Sequence, residues 1–342
     1  GGAGGPTRAR TGTRGGWRLN VPGTLVDQGE LIRALGVLLD EPAAEHRAVA
    51  RALGLPDAPE SGAHARLFML NLYPYASVQV GAEGMMGGEA RDRVAGFWRA
   101  VGLTPPTEPD HLGALLGLWA ALEEGAGAGA EAEQLMQRQA VDALLWEHLL
   151  PWAPAYLARA RELGDRYYGG WAALLLTLLE ERAGGVIERM ASEGDKPDSL
   201  PLHLRSAPGL PDPRTPVGGA GERFMDALLA PVRSGMILTR LDLLRAGRQL
   251  GLGVRIGERK YTLGALFGQD PGATLGWLSE ETETWVRRHG TQMAAFGPIA
   301  RFWRDRAQQA AALLNELASS EAASEWAEPA TASATKGEGR DA

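Results

Sequence analysis

Asp110 and His111 stand side by side after the run Pro105-Pro-Thr-Glu-Pro109. An aspartate beside a histidine invites a proton-transfer reading, and Ser77 offers the hydroxyl that would complete a Ser-His-Asp set. Adjacency works against it: sequence neighbours at a helix start point in different directions, so Asp110 cannot easily orient His111 toward a serine. The other histidines (His46, His64, His148, His203, His289) are scattered, and none has a metal-ligating partner three or four places on. Glu147 and His148 are adjacent, and His148 falls on an apolar stripe, which reads as a satisfied core histidine. Gly125-Ala-Gly-Ala-Gly-Ala130 fits the glycine spacing of a dinucleotide fingerprint. That motif works only between a strand and a helix; here it follows a leucine-rich helix and reads as a flexible connection. The chain has no cysteine, which excludes disulfides, iron–sulfur ligation and thiolate zinc sites. A Walker A lysine, an H-E-x-x-H pair and a G-x-S-x-G elbow are absent as well. The residues therefore imply no catalytic set, no metal and no cofactor.

The elements that must position these residues are helical. Val94, Phe97, Trp98 and Val101 recur at i, i+3, i+4, i+7, as do Leu112, Leu115, Leu116 and Trp119, with Leu122 continuing the stripe. Val141, Leu144, Leu145 and His148 repeat the pattern, followed by Trp171, Leu174, Leu175 and Leu178. Leu275, Leu278, Thr282 and Trp285 and then Ile299, Trp303, Ala310, Leu314 and Leu317 complete the series. Each stripe calls for a helix with one buried face, so the expected fold class is all-α, a helical bundle. Thr239-x-x-Asp242 reads as a capping box closed by Gly251, and Asp270-Pro271 as an N-cap with proline at the first helical position. One segment, 254–263, has a Gly257-Glu258 turn that would join two short strands.

Composition divides the chain. Residues 1–23 are rich in Gly, Arg and Thr and read as a disordered arm; 24–190 form a helical core; 191–221, with six prolines, is a linker or functional loop. Residues 222–318 form a second helical part, and 319–342 read as a disordered acidic tail. Hydrophobic residues make up 44% of the 342, enough for a real core, and the net charge of −7 argues against non-specific nucleic-acid binding by the whole molecule. The longest apolar run, Tyr167–Leu179, is far short of the roughly 20 residues that a membrane span needs, so membrane insertion is not expected. The arginines near the N-terminus lack a following apolar region, so they do not read as a cleaved signal peptide.

Four pieces in order carry a family resemblance. They are Leu72-Tyr-Pro-Tyr-Ala-Ser-Val-Gln-Val-Gly81, the helix bearing Phe97-Trp98-Arg99-Ala100, the proline-preceded Asp110-His111-Leu112, and Glu147-His-Leu-Leu-Pro-Trp-Ala-Pro154 with Tyr167-Tyr168 and a leucine-rich helix after it. Together they resemble the TorD/DmsD/NarJ family of redox-enzyme maturation chaperones across roughly residues 25–190. The resemblance implies a TorD-like helical bundle, with the C-terminal helical part as an addition. It also implies a cytoplasmic, non-enzymatic protein that binds the apo catalytic subunit of a molybdopterin oxidoreductase, usually by its twin-arginine signal peptide, until the cofactor is inserted. Carried over, Tyr75, Ser77, Asp110 and His111 fall on the family's functional positions, with Leu72, Leu112 and Leu115 as apolar neighbours. One departure stands out: family members often place a glutamate one turn after the D-H pair, where this chain has Ala114, Leu115 and Leu116.

Each residue also has a plainer role. Asp110 serves either as an acceptor for a client arginine or as a helix cap, since Thr107-x-x-Asp110 is itself a capping box. Tyr75 and Ser77 read equally as a half-buried ring and a turn residue, and Trp98 and Trp119 as core. A second feature lies outside the resemblance. Arg233, Arg240, Arg245, Arg248, Arg255, Arg259 and Lys260 face only Asp242 and Glu258 within 233–260. Arg240, Arg248, Arg255 and Arg259 would suit an anion, which gives the alternative of a phosphate- or nucleic-acid-binding regulator. The plainer account is a solvated face paired with the acidic tail or with Glu280, Glu281 and Glu283. A monomer and a dimer that exchanges its two helical parts both remain open.

Overall fold

The computed structural model describes residues 28–127, 129–192, 200–215 and 218–319. The expected arm at 1–23, most of the expected tail and parts of the expected linker (193–199, 216–217) lie outside the described residues.

Every named element is a helix. They are α1 (Gln28–Val37), α2 (His46–Ala52), α3 (Ala76–Val80), α4 (Gly88–Ala100), α5 (Leu112–Ala126), α6 (Glu131–Leu144), α7 (Ala153–Leu163) and α8 (Arg166–Ser192). There follow α9 (Leu202–Arg205), α10 (Ala220–Leu229), α11 (Pro231–Ser234), α12 (Arg240–Leu250), α13 (Arg259–Gln269), α14 (Pro271–Thr291) and α15 (Met293–Ala318), with π-helical turns at Ala65–Met69 and Leu145–Leu149. The only β pairing among the described residues is an isolated antiparallel bridge between Tyr75 and His111.

Helix α5 is the axis of the N-terminal half. Leu112, Leu115, Leu116, Leu118, Trp119, Ala120 and Leu122 are all buried on it, so it is apolar on nearly every side, as a helix enclosed by others must be. Helix α1 lies along it. Gly36 makes this possible, because a Cβ there would come within 3.3 Å of the Leu116 Cβ and 3.5 Å of the Gly113 carbonyl. Helices α7 and α8 form a hairpin, as do α14 and α15. Helix α15 bends at Gly297 (φ 41°), just before Pro298, where the missing N–H of proline interrupts the hydrogen-bond ladder.

One apolar core runs from Leu31 to Leu317 and holds residues of both helical parts. Buried indole and phenol groups tie distant segments to backbone carbonyls that would otherwise be stranded. Trp171 donates to Leu35 O (2.8 Å), Tyr156 to Leu72 O (3.1 Å) and Trp303 to Pro151 O (2.7 Å). An ion network crosses the seam. Arg159 of α7, 5% exposed in its side chain, donates to Asp242 of α12 (2.5 Å) and to Glu162 (2.6 Å). Arg245 joins Asp242 (3.1 Å) to Glu281 of α14 (2.8 Å), and Arg288 links Glu281 back to Glu162. Asp242 also accepts from the backbone N–H and the hydroxyl of Thr239, so one carboxylate serves the capping box and the network. Gly251 ends α12 with φ 70°, and Asp270 caps α14 through Ala273 N–H.

The segment 254–263 is not a hairpin. Arg259–Gln269 is helix, with Thr262, Leu263, Leu266 and Phe267 on its buried side. These are helical intervals, and the apparent alternation before them is too short to define a period.

Candidate functional site

The Tyr75–His111 bridge organises the site. Ala76 N–H donates to Asp110 O (3.0 Å) and Leu112 N–H to Pro74 O (2.8 Å), which joins the entry to α3 to the entry to α5. The Asp110 carboxylate, in a residue only 2% exposed, accepts from Ser77 N–H at 3.0 Å. Thus Asp110 satisfies the first turn of α3, 33 residues upstream, and not the helix it precedes. The cap of α5 is not the box expected from Thr107 but His111, whose Nδ1 accepts from Gly113 N–H at 3.1 Å. Ser77 is fully buried, and its Oγ accepts from Gly87 N–H (3.2 Å). Ser77, Asp110 and His111 therefore meet, but each side chain bonds backbone, so they do not form a relay.

Tyr75 extends the arrangement outward. Its ring meets that of His111 edge-on (5.0 Å between centroids), and its hydroxyl donates to Glu108 Oε2 (2.9 Å). Burial, and next that hydrogen bond to a carboxylate, raise the Tyr75 pKa, so the hydroxyl stays a donor. Burial lowers the His111 pKa, while Glu108, Asp40 and Asp110 pull it back up. Trp98 donates to Pro109 O (3.3 Å) and steadies the loop that carries Glu108.

His111 and Glu108 face an open cleft of about 670 Å³ between α1, the N-terminal half of α5 and the loop before it. Arg33, Gly36, Val37 and Asp40 form one side, Pro106, Thr107 and Glu108 the other, and Gly113, Ala114 and Gly117 the floor. Asp40 and Glu108 have no basic partner among the described residues, whereas Arg33 is paired with Glu124 (2.6 Å). The cleft thus presents two carboxylates that no cation neutralises, one of them steadied by the Tyr75 hydroxyl, over a floor of small residues. Asp40 and Glu108 are what the sequence reading missed. Glu108 sits inside the Pro-Thr-Glu-Pro-Asp-His run, and Asp40 follows α1 with no motif around it. They line the same cleft as Ala114, one of the positions that follow the D-H pair.

The remaining expected site residues divide. Leu72, Leu112 and Leu115 are at most 1% exposed and belong to the core; they brace the site from behind. Of the arginines expected to meet an anion, Arg259 turns inward to Leu229 O (3.3 Å) and Leu238 O (3.0 Å), so it closes a bend of the chain. Arg240 lines a smaller cleft with Leu70, Leu241, Leu244 and Ile256, and Arg248 stands exposed about 12 Å further along α12. Arg255 is exposed in the following loop. The four are not gathered round one point. Arg245 does pair with Glu281, one of the acidic partners expected for this segment.

Residues 39–158 match the sequence family described as nitrate reductase delta subunit. This stretch is similar to that family. It is a family of molybdoenzyme maturation chaperones, and its match contains Asp40, Tyr75, Ser77, Glu108, Asp110 and His111 together. No curated protein matches the chain. Among the described residues no group of three His, Asp or Glu side chains could hold a metal, and no helix is long and apolar enough to cross a membrane.

Proposed function

We propose that this chain is a cytoplasmic chaperone that holds the apo catalytic subunit of a molybdopterin oxidoreductase by its twin-arginine signal peptide while the cofactor is inserted. The observation that carries this reading is the pair of carboxylates without a basic partner among the described residues, Asp40 and Glu108, on the open cleft inside the family-like segment. A guanidinium presents a planar fork of donors that suits a carboxylate. Because the cleft is open to solvent, each Arg–carboxylate contact contributes only about 1 kcal/mol. The arginines therefore set register, and the apolar stretch behind them supplies most of the affinity along Val37, Pro106 and Ala114. Tyr75 holds Glu108 in place, and His111, neutral under its burial, adds no repelling charge. Asp110 and Ser77 act by fixing the loop. Binding without turnover needs nothing more from the residues in the cleft.

The test is a pull-down from the native cell with wild type and with Asp40→Asn/Glu108→Gln, read by mass spectrometry. Recovery of a molybdopterin-enzyme catalytic subunit by wild type, reduced in the variant, is the expected result. Recovery of no such subunit by wild type would sink the client assignment; equal recovery by both would remove the cleft from it.

A further inference from the structure

The cleft has a ligand-like segment in its own chain. Residues 1–26 contain four arginines, Arg8, Arg10, Arg14 and Arg18, and no acidic residue; Trp17, Leu19 and Val21 are interleaved with the last of them. This is the chemistry that Asp40 and Glu108 fit: cations with a few apolar side chains among them. The segment leads directly into α1, whose residues Arg33, Gly36 and Val37 form one wall of the cleft. From Gln28 to Gly36 is a rise of about 12 Å along the helix. An extended chain from Gln28 back to Arg18 spans up to about 33 Å, and to Arg14 about 46 Å. Either arginine can double back to the carboxylates, and the short tether holds it there at an effective concentration in the millimolar range.

We propose that the arginine-bearing segment 8–21 docks in the α1–α5 cleft against Asp40 and Glu108, as an occupant that any arginine-bearing client peptide must displace. The docking rests on the cleft alone; the competition rests on the client reading above. A weak tethered occupant covers two carboxylates that have no basic partner while no client is present. It also sets a threshold: a peptide with isolated arginines does not displace it, and one that adds a long apolar run does.

Because the chain lacks cysteine, spin labels can be placed uniquely. Thr13→Cys and Thr104→Cys, in the full chain, give a pair whose separation is read by pulsed dipolar spectroscopy. The expected result is a narrow short-distance component. It should vanish on adding Asp40→Asn/Glu108→Gln, and at about 1 M salt, where screening acts over about 3 Å. A broad distribution, the same in both proteins and indifferent to salt, overturns the docking. A fluorescent 20-residue peptide with two adjacent arginines and an apolar run tests the competition. It should bind the full chain carrying Arg8→Gln/Arg10→Gln/Arg14→Gln/Arg18→Gln several-fold more tightly than wild type. Equal binding to both overturns the competition. A narrow distance component with no peptide binding to either protein supports the docking and removes the client reading instead.

Discussion

At the scale of single residues, the D-H pair works by holding two helix entries together. Asp110 accepts the Ser77 N–H from a buried position and His111 caps α5. Asp110→Ala strands that donor and is expected to cost about 1–3 kcal/mol in urea unfolding, while Asp110→Asn, which keeps an acceptor oxygen, costs clearly less. The carboxylates that face the cleft behave oppositely. Asp40→Asn and Glu108→Gln should leave the urea midpoint within about 0.5 kcal/mol of wild type, yet weaken binding of an arginine peptide and flatten its salt dependence. Titration calorimetry at two ionic strengths checks this. The D-H pair stands out in the sequence by its order among the four family-like pieces, but its tie to Ser77 N–H, 33 residues upstream, is not legible there, since only packing brings the two helix entries together. Asp40 is not legible either, because it lies far upstream of Asp110 and is brought near it only by the packing of α1 on α5.

At the scale of elements, helix positions were legible because burial imposes a period of 3.6, and the stripe through Leu112, Leu115, Leu116 and Trp119 became the buried side of α5. The Thr239–Asp242 box and the Asp270 cap were legible for a local reason, since a cap is decided within four residues. Contacts across the chain were not. Nothing in the sequence around Arg159 or Asp242 announces that they meet, and the basic excess of 233–260 reads as one surface although Arg245 and Arg259 turn inward. Asp242→Ala removes a cap and leaves Arg159 buried without its closest partner, so a loss of about 3–5 kcal/mol is expected in denaturant unfolding. Thr239→Ala, which touches the cap alone, should cost about 1 kcal/mol. Gly36→Val drives a branched side chain into Leu116 and the Gly113 carbonyl. It should lower stability by about 1–3 kcal/mol and spread α1 from α5, weakening peptide binding in the same protein.

At the scale of the whole molecule, acid should unfold the chain earlier than its acidic composition suggests. Burial pushes His148 down to about 3, and His203 and His289 down to about 4. His148 and His203 face each other at 5.6 Å, each with an unpartnered ring nitrogen, and His289 lies between Trp285 and Trp303. All three are held neutral in the fold and take up protons on unfolding. Their contribution is complete above about pH 6.5 and is lost as pH falls toward 4, at about 1.4 kcal/mol per histidine per pH unit. Melting temperatures measured at pH 7, 6 and 5 should fall progressively; a flat profile would contradict neutral burial of these rings.

The shared core has a consequence for the order in which the chain is made. The cleft is built from residues between Arg33 and Gly117, all of which leave the ribosome early. The Pro151 carbonyl must wait 152 residues for the indole of Trp303, and Arg159 waits 83 for Asp242. At about 5–20 residues per second, synthesis leaves the first of these open for roughly 8–30 s. During that interval every residue of the cleft has been made while the apolar face that α15 will cover is bare. A nascent chain of this design needs shelter for its own apolar surface before its fold can close.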